Sequence, residues 1–140
     1  MITISTDKNS FDFEVIYHFI STSYWAKGIP RKVMQKAIDN SLCFAAFDGE
    51  SQVGFARVIT DGATFGYLAD VFVLESHRGL GISKKMMEQV SNHPELQGLR
   101  RMMLATYDAH GLYQQFDFKP LSNPANMMEC WDPDIYSRTT

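Results

Sequence analysis

Cysteine is scarce: Cys43 and Cys130 are the only two in 140 residues, and most of the chain lies between them. That excludes a disulfide framework, and no pairing of Cys or His at ligand spacing suggests a metal site, so both are expected to be buried free thiols. Basic clusters are equally few. The formal net charge is -3, and doublets such as Lys84-Lys85 and Arg100-Arg101 are as far as cations gather. Nucleic-acid binding draws its affinity from many phosphate contacts, so it is excluded as a general function, and the doublets read as solvated faces. A mildly acidic surface tolerates a cationic amine. Nowhere do about 18 apolar residues run together, and the first residues show no basic segment leading into an apolar one and a cleavage site. The expectation is a soluble, cytoplasmic protein with no membrane partner. What is present, 45% hydrophobic and 13% aromatic residues without repeats or low-complexity stretches, suits one domain over 1–140.

Periodicity supplies the elements. Ile2 and Ile4 alternate in a first strand, Met1 to Thr6. Phe11, Val15 and Phe19 fall at helical spacing from about Phe11 to Tyr24, with Ser10 or Asp12 as the cap. Gly28-Ile29-Pro30 breaks the chain, and Pro30 suits the first position of a second helix running to Ile38. Asp48-Gly49-Glu50 joins strands Leu42 to Phe47 and Val53 to Ile59 as a hairpin, and Asp61-Gly62 turns into a third strand, Phe65 to Leu74. A helix is expected from Gly79 to Asn92, ended by His93-Pro94, then a buried strand, Leu99 to Thr106. Asp108 is expected to cap a short helix from Ala109 to Phe116, and Phe118 to Trp131 to return as a final hairpin.

The most informative run is Arg78-Gly-Leu-Gly-Ile-Ser83, between the third strand and the helix that follows it. A chain that leaves a strand through two glycines and enters a helix presents unpaired N–H groups on a concave turn, at the positive end of the helix dipole. Such a turn binds phosphate. The run is not a dinucleotide fingerprint, because Lys84 stands where the third glycine would be, nor a nucleoside-triphosphate loop, because one residue rather than four separates its glycines. Together with Val71-Phe72-Val73 before it and Asp108-Ala-His-Gly-Leu-Tyr113-Gln-Gln-Phe116-Asp-Phe118 after it, the loop resembles the GNAT acyl-CoA N-acyltransferase family. The resemblance covers about Asn40 to Trp131. The family loop is commonly written Arg/Gln-x-x-Gly-x-Gly/Ala, so Arg78, Gly81 and Ser83 fall on its fixed positions; Ser83 departs from Gly or Ala but stays small.

The resemblance implies an α/β (α+β) fold: a central mixed, mostly antiparallel sheet of six or seven strands with about four helices on both faces. It also implies an acetyl-CoA-dependent N-acetyltransferase acting on a primary amine by direct attack in a ternary complex, without a metal and compatibly with a homodimer. In that frame the amides of Gly79, Leu80, Gly81, Ile82, Ser83 and Lys84 surround the pyrophosphate, Arg78 adds charge or shapes the turn, and the backbone of Val71, Phe72 and Val73 pairs with the pantetheine arm. Thr106 bonds the arm or ends its strand. Tyr113 is the general acid: a phenol with pKa near 10 is protonated at neutral pH and can hand its proton to a departing thiolate. Asp70 and His110 are the candidates for receiving or orienting the ammonium, and His110 shares a helical face with Tyr113. Tyr24, Trp25 and Trp131 are candidates for an acceptor pocket. Cys43 and Cys130 lie outside both motifs, against a thiol intermediate. A rival reading is a non-catalytic sensor or interaction module that keeps the fold and holds CoA without turning it over.

Overall fold

A computed structural model describes residues 1–138. Five strands form one sheet in the order β1 (Ile2–Ser5), β2 (Leu42–Asp48), β3 (Ser51–Thr60), β4 (Phe65–Val73) and β5 (Arg101–Met103). The first four pair antiparallel and β4 pairs parallel with β5, so a crossover through helix α3 (Ile82–Asn92) links the last two. Helices α1 (Phe13–Ser21) and α2 (Arg31–Asp39) precede β2; α4 (His110–Gln114) and α5 (Ile135–Arg138) follow β5. The expectation of six or seven strands therefore exceeds the five among the described residues. The two missing are those expected between Phe118 and Trp131, which runs without strand and contains only a short 3-10 turn, Pro124–Asn126.

Alternation along the strands builds two cores. On β2, Cys43 faces α1 and α2, where it joins Ile16, Ile20, Met34, Ile38, Phe55 and Phe72, while its neighbour Phe44 faces α3. Helix α3 places Ile82, Met86, Met87 and Val90 in that second core at spacings of four, one and three residues, one apolar stripe of an amphipathic helix. Phe44 is fully buried, and removal of such a ring from water contributes about 1.5–3 kcal/mol. Phe72 stacks on Phe19 with ring centroids 4.1 Å apart and planes 7° from parallel, which fixes α1 over β4. Asp12 caps α1 by accepting from the Val15 amide, one of the two caps expected; the Asp12 amide in turn donates to the buried Gln52 side chain at 2.7 Å.

Two irregularities position the site. Between Phe55↔Phe72 and Arg57↔Ala69, β4 advances three residues while β3 advances two, so β4 carries a bulge, and Asp70 in it has φ 55°. Further, β5 pairs only over Phe65↔Arg101, Gly66↔Met102 and Tyr67↔Met103, although β4 continues to Val73. The expected strand Leu99 to Thr106 is accordingly shortened, and Leu104–Thr106 diverge from β4. The helix expected from Gly79 begins at Ile82, because Gly79 and Gly81 hold φ of 80° and 75°, left-handed values outside any α-helix.

Candidate active site

The turn before α3 is open on its concave side. The amides of Gly81, Ile82, Ser83 and Lys84 donate to no acceptor among the described residues; the first intrahelical bond runs from Lys85 N–H to Gly81 C=O. A Cβ built on Gly79 or Gly81 would meet no atom within 4 Å, so both glycines border open space. Ile82 anchors the loop from below by its burial in the α3 core, while Leu80 is exposed. The Arg78 Nε–H donates to the Val73 carbonyl at 3.2 Å, which ties the loop to the end of β4. Of the two roles open to Arg78, shaping the turn is the one seen.

A cleft lies in the split between β4 and the stretch after β5. It has a volume of about 630 Å³ and is lined by Leu68 to Val71 on one wall and Leu104 to Ala109 on the other. Backbone direction decides which β4 residues can offer hydrogen bonds there. Leu74 N–H donates to Val53 C=O, and Phe55 opposes Phe72, so Leu74 and Phe72 turn their backbone groups toward β3, and Val73 turns its own toward the open side. Phe72 thus serves through its buried ring. Val73's carbonyl is the one Arg78 occupies.

Tyr113, on α4, lines the cleft and is otherwise buried; its ring meets Phe118 edge-on at 5.9 Å. Burial, seconded by the negative charge of Asp108, raises the phenol pKa above its ordinary value. The hydroxyl is therefore a standing proton donor at any physiological pH. The start of α4 is held by Thr106, whose hydroxyl accepts from the Ala109 amide at 3.1 Å; Asp108, the expected cap, does not make that bond.

Opposite Tyr113 the cleft is walled by the α1–α2 connection. Tyr24 and Trp25 meet edge-to-face at 5.1 Å, and Tyr24 reaches across to Tyr107, 5.0 Å away on the far wall. At the floor, Asp70 accepts from Arg57 Nε on one carboxylate oxygen and from Trp25 Nε1 on the other, both at 2.8 Å, while Arg57 also donates to the Ser41 hydroxyl at 3.0 Å. A left-handed Asp on a bulged strand thus neutralises a buried Arg and fixes an aromatic wall.

The family model for the acetyltransferase (GNAT) domain matches residues 39–120, more than half of the chain, including the loop, α4 and the β4 and post-β5 walls of the cleft. The chain belongs to the GNAT acetyltransferase family. It is similar to "Putative acetyltransferase FG08082" of Gibberella zeae, 35% identical over 133 aligned positions that cover 79% of this chain and 74% of the relative. A crystal structure from Xanthomonas campestris pv. campestris, described as a putative acetyltransferase of the GNAT family, is 51% identical. It superposes with a TM-score of 0.95 over 98% of this chain and 97% of its own. The fold is shared at 12% identity, with a TM-score of 0.68 over 93% and 96% of the two chains, by a "predicted acetyltransferase" of Clostridium acetobutylicum solved with acetyl-CoA.

Within the GNAT frame Asp70, Val71, Thr106 and Tyr113 line one cleft, and the Gly79–Lys84 turn follows the strand that supplies its wall. The structure does not bring in two residues expected there. His110 is exposed and lines a groove on the outer side of β5, with Leu104 to Thr106 and Tyr113 as the shared wall. Trp131 lies on the exposed C-terminal stretch and not in the cleft. Cys130 is exposed rather than buried, for the same reason; Cys43 is buried, and desolvation pushes its thiol up to about 11. Sequence reasoning missed Arg57, Tyr107 and the charge of Asp108 beside Tyr113. Arg57 had a signal: it is the one cation in the apolar run of β3, which asks for a buried anion nearby.

Proposed function

We propose that the chain is a single catalytic domain over 1–140 that transfers the acetyl group of acetyl-CoA to a primary amine by direct attack in a ternary complex, in the cytoplasm and without a metal. Its partners are acetyl-CoA, the amine and a second copy of the chain, with no nucleic acid or membrane. What supports the reading above all is a pair of features joined by β4: four unpartnered amides at the start of α3, and a cleft in the split sheet with a buried phenol in its lining. The amides of Gly79 to Lys84 hold the pyrophosphate, aided by the α3 dipole. The pantetheine arm lies in the split, beside the backbone of Val71 and Val73 and near Thr106, and the thioester meets Tyr113.

In this reading the amine nitrogen attacks the thioester carbonyl carbon. A C–N bond forms, the C–S bond breaks with its electron pair going to sulfur, and the Tyr113 hydroxyl proton passes to that sulfur. The proton lost by nitrogen leaves through water in the cleft. Asp70, with both oxygens engaged and its charge met by Arg57, orients Arg57 and Trp25 rather than taking the proton itself. His110 lies on the far side of Tyr113, where it can reach the phenol's surroundings but not the amine. Tyr24, Trp25 and Tyr107 form the acceptor's aromatic walls, suited to an amine carried on an apolar body or still protonated on arrival.

A screen of amines with acetyl-CoA, read by release of free thiol, tests the activity. Thiol release with a set of primary amines supports it. Tight CoA binding with no release for any amine would support the sensor reading instead.

A further inference from the structure

Charge is sparse in the cleft. Among its described lining residues only Arg57, Asp70 and Asp108 are charged. Arg57 and Asp70 meet each other at 2.8 Å and are nearly buried, so their charges cancel beneath the surface. Asp108 differs from both. It is exposed, and among the described residues it enters no hydrogen bond or ion pair. Nor does it hold the start of α4, which Thr106 does. Yet it lines the same cleft as Tyr113, whose phenol feels its negative charge. Beside it the cleft is aromatic. Tyr107, the preceding residue, is 79% exposed and Tyr24 is 70% exposed, with their rings 5.0 Å apart and Trp25 edge-on to Tyr24. Large rings left open to water around one concavity mark a surface built for a ligand.

We infer that Asp108 receives the acceptor's ammonium, and that the acceptor is a monocation: one primary amine on a short linker to a flat apolar body, with no second charge. This rests on the acetyl-transfer reading and names the acceptor class which that reading leaves open. One unpaired carboxylate balances one ammonium. A polyamine, or a sugar with several amines, would bring cations for which the described lining has no further free carboxylate. An amine that carries its own carboxylate would set that group against Asp108, with Arg57 as the one cation in the lining, and Arg57 is already held by Asp70 and Ser41. The rings select the body. A flat apolar group between Tyr24, Trp25 and Tyr107 covers ring surface now open to water, and an ammonium beside it is attracted by the ring faces. The linker is short because Tyr107 and Asp108 are consecutive, so the ring site and the carboxylate adjoin. The held ammonium loses its proton to water in the cleft. Its nitrogen then attacks the thioester carbon, the C–S electron pair leaves on sulfur, and the Tyr113 proton follows it.

Initial rates of thiol release by the full chain, at saturating acetyl-CoA, test this with 2-phenylethylamine, spermidine and phenylalanine, the last being the first compound with a carboxylate added. The expected result is a kcat/KM for 2-phenylethylamine about tenfold or more above that of each of the others. Asp108→Asn should raise the KM for 2-phenylethylamine about tenfold, through loss of one charge-assisted bond, and should narrow the gap to phenylalanine; Asp108→Glu should restore both. A carboxylate that only shaped its loop would leave that gap unchanged. The inference is overturned, and the acetyltransferase left standing, by any of three results: spermidine or phenylalanine used as well as 2-phenylethylamine, release with other primary amines but not with 2-phenylethylamine, or an unchanged KM in Asp108→Asn. Release with no amine at all, from a chain that binds acetyl-CoA, overturns both.

Discussion

Gly81→Val separates the loop's role in binding from its role in folding. Gly81 sits at φ 75°, where a β-branched residue is strained, and the strain costs about 1–2 kcal/mol. No atom lies within 4 Å of the position its Cβ would take, so no clash adds to that figure. For a chain of this size the melting temperature should fall by about 4–8 °C, and the protein should stay folded. Binding should suffer far more. The new side chain projects into the open space before the turn, and relief of the strain swings the amides of Ile82 to Lys84 away from a common point. Loss of two such charge-assisted bonds, at about 1.5–3 kcal/mol each, is worth roughly two to four decades in Kd. Calorimetric titration with acetyl-CoA reads the affinity, and a thermal melt without ligand reads the fold. An unchanged Kd in a folded variant would mean that these amides hold nothing, and the whole functional reading would go with them.

Three further outcomes are expected. Tyr113→Phe should lower kcat about 100-fold or more with acetyl-CoA affinity within a factor of two; because burial and Asp108 raise the phenol's pKa, any alkaline fall in rate that the substitution removes should lie above pH 10, and one found below pH 9 would refute the acid role. Asp70→Ala strands Arg57 without its counter-ion at a site where the two side chains are 7% and 15% exposed, so denaturant melts should show a loss of about 3–5 kcal/mol; a near-neutral result would show that the pair is solvated. Cys43, with its thiol pushed up to about 11, should alkylate on the order of 100 times more slowly at pH 8 than an ordinary exposed thiol, and rapid labelling in the native protein, followed by peptide mapping, would contradict its burial.

Much of this architecture was legible because it is local. Asp48-Gly49 and Asp61-Gly62 announce their turns, and both glycines do take positive φ. Asp12 and the spacing of α1, the break at Gly28 to Pro30, and the two glycines before α3 carry their own conformational demands. The bulge at Asp70 was not legible, because an Asp with φ 55° is a tertiary solution: Arg57 and Trp25, 13 and 45 residues away, hold it there. Strand β5 was overextended for a similar reason, since Leu104 to Thr106 are as apolar as a paired strand but diverge from β4. His110 shares α4 and the outer groove with Tyr113, yet only Tyr113 also lines the cleft. As for the hairpin expected over Phe118 to Trp131, the alternation is present in the sequence, but a pattern states only that a segment wants a neighbour, not which molecule supplies it.

The extra residue in β4 is absorbed where it sits. Arg57 opposes Ala69 and Phe55 opposes Phe72, so Ala56 alone stands against the pair Asp70 and Val71. Deletion of Asp70 would leave a regular ladder with Ala56 opposite Val71, the Phe72 ring still against Phe19 and Val73 still in the α3 core. A one-codon loss there would keep the packing on either side and remove the kink together with the carboxylate that Arg57 and Trp25 share.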